Sequence, residues 1–359
     1  MTTRAPLTTG TLPSRWTKVG GAIALLTAIV SALLVAFAWP SARSSVHDVP
    51  IAVAGPEPAV AQIRTALDGR LPGGFDITEV SDTAAAEQLI RDRRVYAAID
   101  LTSGAPQVIV ASAASTAIAQ TMQTMATGLG QAGGAGAPVA VRDLAALPAD
   151  DPRGAGLSAG ALPLVMGGLL AAVLLTRLVH GTVRRVAGAL GFAVTGGLTV
   201  AAILQFWLGS LSGFYPANAC AVALTIAATS LTILGLESLF GYVGIGVGAA
   251  VMMLVGNPLS GTATAPEMLP GWSGALGQLL PPGAGGRLLR STAFFDGRGA
   301  TQAVTVLVAW VAVGAGLCLV GGLRARRTAA AAAGLRTTRT APAETGSAYP
   351  ATATEPLAD

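Results

Sequence analysis

Long charge-free runs dominate the pattern along this chain, and they set the elements it predicts. No charged residue lies between Lys18 and Arg43, and the apolar stretch Val19 to Trp39 fills that gap. A bilayer core about 30 Å thick asks for a helix of about 20 mostly apolar residues, so this stretch reads as a membrane span. The same reasoning predicts spans at Ala159 to Thr176, Val186 to Leu208, Ala217 to Leu236, Leu239 to Val255 and Thr301 to Leu323. The third and fourth share one uncharged run, broken at Gly209-Ser-Leu-Ser-Gly-Phe-Tyr-Pro216 by turn chemistry. The fifth is short and rich in glycine. The apolar part of the first run exceeds the 7–15 residues of a signal-peptide core, so it reads as an uncleaved anchor.

Between the first two spans, residues 40–158, the pattern changes to short strands and amphipathic helices. Asp48 to Gly55 reads as a buried strand, Glu57 to Gly69 as a helix, and Phe75 to Val80 as an alternating, half-buried strand. Ser81 or Asp82 is positioned to cap a helix over Thr83 to Arg93. Strands follow at Val95 to Leu101 and Gln107 to Ala111, then a helix at Ser115 to Leu129 and a Gly/Ala linker at Gly128 to Ala137. This alternation predicts a small α/β domain inserted into a helical membrane protein.

Composition sharpens that class. The 359 residues are 52% hydrophobic and only 11% charged, with a mean hydropathy of +0.62. Soluble domains carry roughly 25% charged residues. The charges that remain are sorted. Arg4, Arg15 and Lys18, then Arg177, Arg184 and Arg185, then Arg324, Arg326 and Arg327 flank span ends that fall on one side if six helices cross. That is the positive-inside pattern, and it predicts a multi-pass plasma-membrane protein with both termini cytoplasmic. Residues 40–158 hold 8 Arg and 12 Asp or Glu, a net of −4, so the extracytoplasmic domain is acidic. The basic pI then reports topology and contact with the lipid bilayer, with no nucleic-acid partner. The tails 1–18 and 324–359 read as cytoplasmic, the latter Ala/Thr/Pro-rich from Thr328 and disordered.

Candidate chemistry is sparse. The only lysine, Lys18, lies between Thr17 and Val19, which excludes a Gly-Lys-Ser/Thr phosphate loop. His47 and His180 fall on opposite sides of the membrane, so no metal site is read, no cofactor is implied and no catalytic constellation appears. Arg91 to Arg94 read as a charged helix end. Cys220 and Cys318 fall at opposite ends of their spans and read as packing residues, not a disulfide. Glu237 is expected to pair with Arg184 or Arg185. The paired glycines at 167–168, 196–197, 244–248 and 314–316 favour close helix packing or a dimer seam.

The loop between spans five and six, residues 257–300, carries the sharpest signal. Pro258, Pro266, Pro270, Pro281 and Pro282 cut it into pieces, and Trp272 to Leu280 is apolar yet too short to span. Such a piece lies at the interface or re-enters the membrane, with Arg287 and Arg290 as anchors before span six. In Pro266, Met268, Pro270, Trp272, Leu280-Pro281 and Arg287 the chain resembles the membrane subunits of type-2 ABC exporters, the ABC-2 permeases. With its outer domain and the Leu162-Pro-Leu lead-in to span two, it also resembles the phage-infection-protein-like membrane proteins of Gram-positive bacteria. The resemblance covers Val19 to Leu323. It implies six spans, both ends inside, a homo- or heterodimer, and a separate ATPase that meets the cytoplasmic face, where Arg177, His180, Arg184, Arg185 and Glu237 are the candidate contacts. It also implies export of an apolar or amphipathic substrate. The family's other ATPase-contacting elements differ here: Thr2 to Ser14 is Pro/Thr-rich, and the loop from Arg177 to Arg185 is short. The competing expectation is a non-transporting envelope protein whose outer domain binds a partner.

Overall fold

The computed structural model describes residues 16–132 and 139–339. Tail residues 1–15 and 340–359, and the linker segment 133–138, lie outside the described residues. Helix α1 (Trp16–Ala42) leads into a sheet domain: β1 (Val49–Ala54), α2 (Glu57–Arg70), β2 (Phe75–Val80), α3 (Thr83–Arg91), β3 (Ala97–Asp100), β4 (Gln107–Val110), α4 (Thr116–Ala132) and β5 (Ala140–Asp143). The strand order is β2-β1-β3-β4-β5. β1 runs parallel to β2 and β3, β3 and β4 are antiparallel, and β4 and β5 are parallel.

The period-2 pattern of β1 explains the layering. Val49, Ile51 and Val53 join a core with α2 and α4 residues such as Leu67 and Met122. Ala52 and Ala54 face the opposite way, toward Ala86 and Ile90 of α3. β2 at the edge alternates over its first four residues, with Phe75 and Ile77 packed on the α2/α4 core, while Val80 packs on the opposite, α3 face. Of the two expected caps for α3, Asp82 is the one used: its carboxylate accepts the Ala85 N–H at 2.8 Å.

Three boundaries depart from the sequence reading. α4 continues through Ala132, so the first part of the expected linker is helical. β5 was not foreseen, because its four residues Ala-Val-Arg-Asp are all exposed and show no apolar run. α3 stops at Arg91, since Arg93 takes a left-handed φ of 57°.

The second half is a helical bundle. Its members are α5 (Ala155–Leu178), α6 (Thr182–Ala202, ending in a wider turn to Trp207), α7 (Tyr215–Phe240), α8 (Tyr242–Ala250, continued to Gly256), α9 (Ser273–Gln278), α10 (Pro281–Phe294) and α11 (Thr301–Arg339). Five helices are long and apolar enough to cross a membrane: α1, α5, α6 with its last turn, α7 and α11. The remaining expected span, the fifth in sequence, is the shorter apolar helix Tyr242–Gly256. At 1.5 Å per residue it covers about 22 Å, less than a bilayer core. α11 is helical well past Leu323 and through Arg339. The Ala-rich run after Thr328, expected to be disordered, has the strongest helix propensity of any composition.

α7 is the axle of the bundle, with α5, α6, α8, α10 and α11 packed around it. Small residues make that possible. A Cβ at Gly314 of α11 would stand 2.6 Å from the Leu231 carbonyl carbon and the Thr232 nitrogen, so the two backbones touch there. The buried Thr225, Thr229 and Thr232 hydroxyls of α7 donate to the carbonyls of Ala221, Thr225 and Ala228 within the helix, and Thr232 also reaches the Trp310 carbonyl of α11 at 3.4 Å. α1 is the opposite case: Pro40 is its only buried residue.

Candidate functional site

The segment from Asn257 to Phe294 joins the bundle to the sheet domain. Its proline breaks set its shape. Pro258 and Pro266 each open a single 3₁₀ turn, and Pro281 opens α10. α9 and α10 form a hairpin against the bundle. α10 runs antiparallel to α7: Ser212, just before α7, donates to the Ala293 carbonyl at 2.8 Å, and Gly285 packs on Thr225. Thr225 lies ten residues into α7, so the hairpin reaches about 15 Å along it. At the hairpin tip the Leu279 carbonyl accepts the Trp310 indole N–H at 2.8 Å. α8 ends beside the same tip, where Gly256 meets Pro282.

From there the chain climbs in non-helical conformation, and side chains satisfy its carbonyls. Ser260 Oγ donates to Asn257 O at 2.7 Å, Gln278 Nε2 to Ser260 O at 2.8 Å, and Arg290 to Thr262 O. The packing is tight: a Cβ at Gly277 would lie 1.6 Å from the Leu259 carbonyl oxygen, so only glycine fits.

The upper part of this segment docks on the sheet domain at several points. Ser45 N–H donates to Met268 O at 3.0 Å. Ala265 and Met268 enter the α2/α4 core, and Phe295 enters the α3 core. Tyr96 donates to Glu267 at 2.7 Å, and Ser115 Oγ to Thr264 O at 2.7 Å. Burial, with the Glu267 charge second, holds the Tyr96 phenol far above its usual range, so it remains a donor. Arg93 crosses from the domain to α10, donating to Arg287 O at 2.8 Å and Ser291 Oγ at 2.6 Å, with its guanidinium 5.2 Å from the Phe295 ring centre. Burial brings Arg93 down to about 10, still charged at neutral pH.

These contacts enclose a polar cavity of about 330 Å³ whose walls include Arg93, Arg94, Tyr96, Glu267, Arg287 and Arg290. Of the loop residues singled out from the sequence, Pro266, Arg287 and Arg290 line it. Met268 packs in the sheet core, Pro258 and Pro281 shape the hairpin, Pro270 precedes α9, and Trp272 is 72% exposed on the surface. Arg93 and Tyr96 were missed. The only sequence signal was Arg91-Asp-Arg-Arg94, and nothing in it marks the left-handed residue that turns one arginine of the three inward.

The far end of the bundle holds the other candidates. Arg185 donates to Glu237 at 3.0 Å, to Val179 O at 2.8 Å and to Thr176 O at 3.0 Å, tying the α5–α6 turn to the end of α7. Glu237 thus pairs with Arg185, one of the two partners expected. Arg177 lies over the Tyr242 ring at 5.1 Å. His180 and Arg184 line an open groove of about 680 Å³ between the α5–α6 turn and α11.

Among the described residues no cluster of three or more His, Cys, Asp or Glu side chains is close enough to hold a metal ion. No protein-family model, curated protein or solved structure matches the chain.

Proposed function

We propose that this chain is the membrane subunit of an ABC-2-like exporter, with six crossings, both ends cytoplasmic and the sheet domain outside. It acts as a homo- or heterodimer with a separate cytoplasmic ATPase to move an apolar or amphipathic substrate outward. The observation that supports the reading is the break after the short apolar helix Tyr242–Gly256, which ends beside the tip of the α9–α10 hairpin and is followed by a segment with only single 3₁₀ turns. On this reading the break falls within the fifth crossing. Irregular backbone at membrane depth survives only where protein encloses it or where it lines a cavity. Discontinuous helices at mid-depth are a recurring feature of transport proteins. Nucleotide-driven motion would enter at the cytoplasmic groove lined by His180 and Arg184 and travel along α7 and α11, which touch backbone to backbone at Gly314. The contacts of the sheet domain with this segment support export over the alternative of a non-transporting envelope protein whose outer domain binds a partner.

The test is extraction of the tagged, full-length protein from its native membranes, followed by identification of co-purifying subunits and ATPase assay of the complex. An ATPase bound in stoichiometric amount, and lost when Arg184 and His180 are both replaced by alanine, is the expected result. Recovery of the chain with no ATPase, together with no export phenotype on deletion, overturns the reading.

A further inference from the structure

The cavity at the junction of the sheet domain and α10 is electrostatically incomplete. Arg93, Arg94, Arg287 and Arg290 all face it, against Asp92 and Glu267. Asp92 is engaged outside the cavity, accepting from Gln88 and meeting Arg298 at 3.4 Å. Glu267 accepts from Tyr96 and stays in the wall, which leaves one cavity carboxylate against four arginines. Among the described residues none of the four cavity arginines makes an ion pair. Three of them bond only to neutral oxygens: Arg93 to a carbonyl and a hydroxyl, Arg290 to the Thr262 carbonyl, Arg287 to Gln302 at 3.1 Å. The Arg287 Nε is buried without any partner. Enclosed charges of one sign are costly unless a counter-charge accompanies them. Guanidinium groups converging from two elements form the donor set that grips phosphate oxygens.

We infer that this cavity is a binding site for a phosphate-bearing anion, held by Arg287 and Arg290 from α10 and by Arg93 and Arg94 from the sheet domain. A bare carboxylate would leave most of the roughly 330 Å³ empty; at about 30 Å³ per water the space holds roughly ten, enough for a phosphate and the polar group attached to it. The Ser260–Thr262 wall also borders a second groove of about 270 Å³, lined by Phe37, Pro40, Leu162 and Leu269. An apolar tail beside a polar head is the pattern of a phospholipid, while a free phosphate compound would use the head site alone. The site rests on the cavity and not on the export reading, and its test reads binding, so the two fail separately.

The experiment measures thermal unfolding of the purified full-length protein in two arms. One compares inorganic phosphate with chloride at equal ionic strength in detergent. The other compares nanodiscs of phosphatidylglycerol with nanodiscs of phosphatidylcholine. The expected result is a rise of about 2–4 °C for the wild type in at least one arm. R287Q abolishes it and R64Q, which alters an exposed ion pair in the sheet domain, leaves it unchanged. A rise with phosphate assigns a soluble anion; a rise with phosphatidylglycerol alone assigns a lipid head group. If R287Q does not fold, R94Q at the exposed rim takes its place, with at least a halved shift expected. No rise in either arm, or an equal rise in wild type and the cavity variant, overturns the site.

Discussion

Two groups of arginines sit at opposite ends of α7, and they are handled in opposite ways. At the end near Phe240, Arg185 is partly buried (24% exposed) and has a carboxylate, Glu237, at 3.0 Å, plus two helix-end carbonyls. Near the start of α7, Arg93, Arg287 and Arg290 are enclosed with neutral oxygens only. The first arrangement locks a turn and needs nothing more. The second holds domain and bundle together while leaving positive charge in excess over the single cavity carboxylate, Glu267. The lesson is that a basic residue next to a span end carries no fixed meaning: its partner decides whether it is a fastener or half of a site.

The sharpest way to break this contrast is to remove the one carboxylate. Glu237→Ala leaves Arg185 without a counter-charge and is expected to cost about 2–3 kcal/mol, read as a lowered melting temperature in detergent. The double variant R185M/E237L should recover most of that loss. Next comes the hairpin that carries Arg287 and Arg290. Trp310→Phe orphans the Leu279 carbonyl at its tip, with an expected loss of about 1–2 kcal/mol and faster proteolysis between Pro258 and Pro281. Arg290→Met should cost less, under about 1 kcal/mol in anion-free buffer. It leaves a single carbonyl short of a donor and no charge stranded. A loss as large as that of Glu237→Ala would erase the distinction between the two ends.

The smallest effect is a surface control in the sheet domain, where Glu87 meets Arg142 and Arg91. The hydrogen bond from Arg142 holds the Glu87 carboxyl below its ordinary value, against the opposing effect of burial. A depressed carboxyl stabilises above its unfolded pKa and loses that contribution as the pH falls through its folded value. Glu87→Gln should therefore cost at most about 0.5 kcal/mol near neutral pH, and the gap from wild type should close below about pH 4. A gap that widened on acidification would mean the pair does not form.

Much of the architecture was legible in the sequence because lipid-facing helices and buried strands are written as local patterns. Charge-free runs marked α1, α5, α6, α7 and α11, a short apolar run marked β1, and alternation marked β2. The Arg185–Glu237 pair was also readable, since both residues are charges stranded at the ends of apolar runs. The misses share a cause. Pro281-Pro-Gly-Ala-Gly-Gly286 has the composition of a loop, yet it begins α10, because prolines fit a helix's first turn and glycines let it lie against Thr225 and Gly277. β5 has no apolar run of its own and exists through its register with β4.

What the sequence alone determined is a set of helices apolar enough to cross a membrane and a small α/β domain, since the hydrophobic effect acts on each segment where it stands. Only the tertiary structure decided where the lone charges go. Arg93 and Arg290 are 197 positions apart, and no local pattern records that a left-handed turn and the α9–α10 hairpin bring them to one cavity. Long-range packing chooses such meetings, and electrostatics then determines what they can hold.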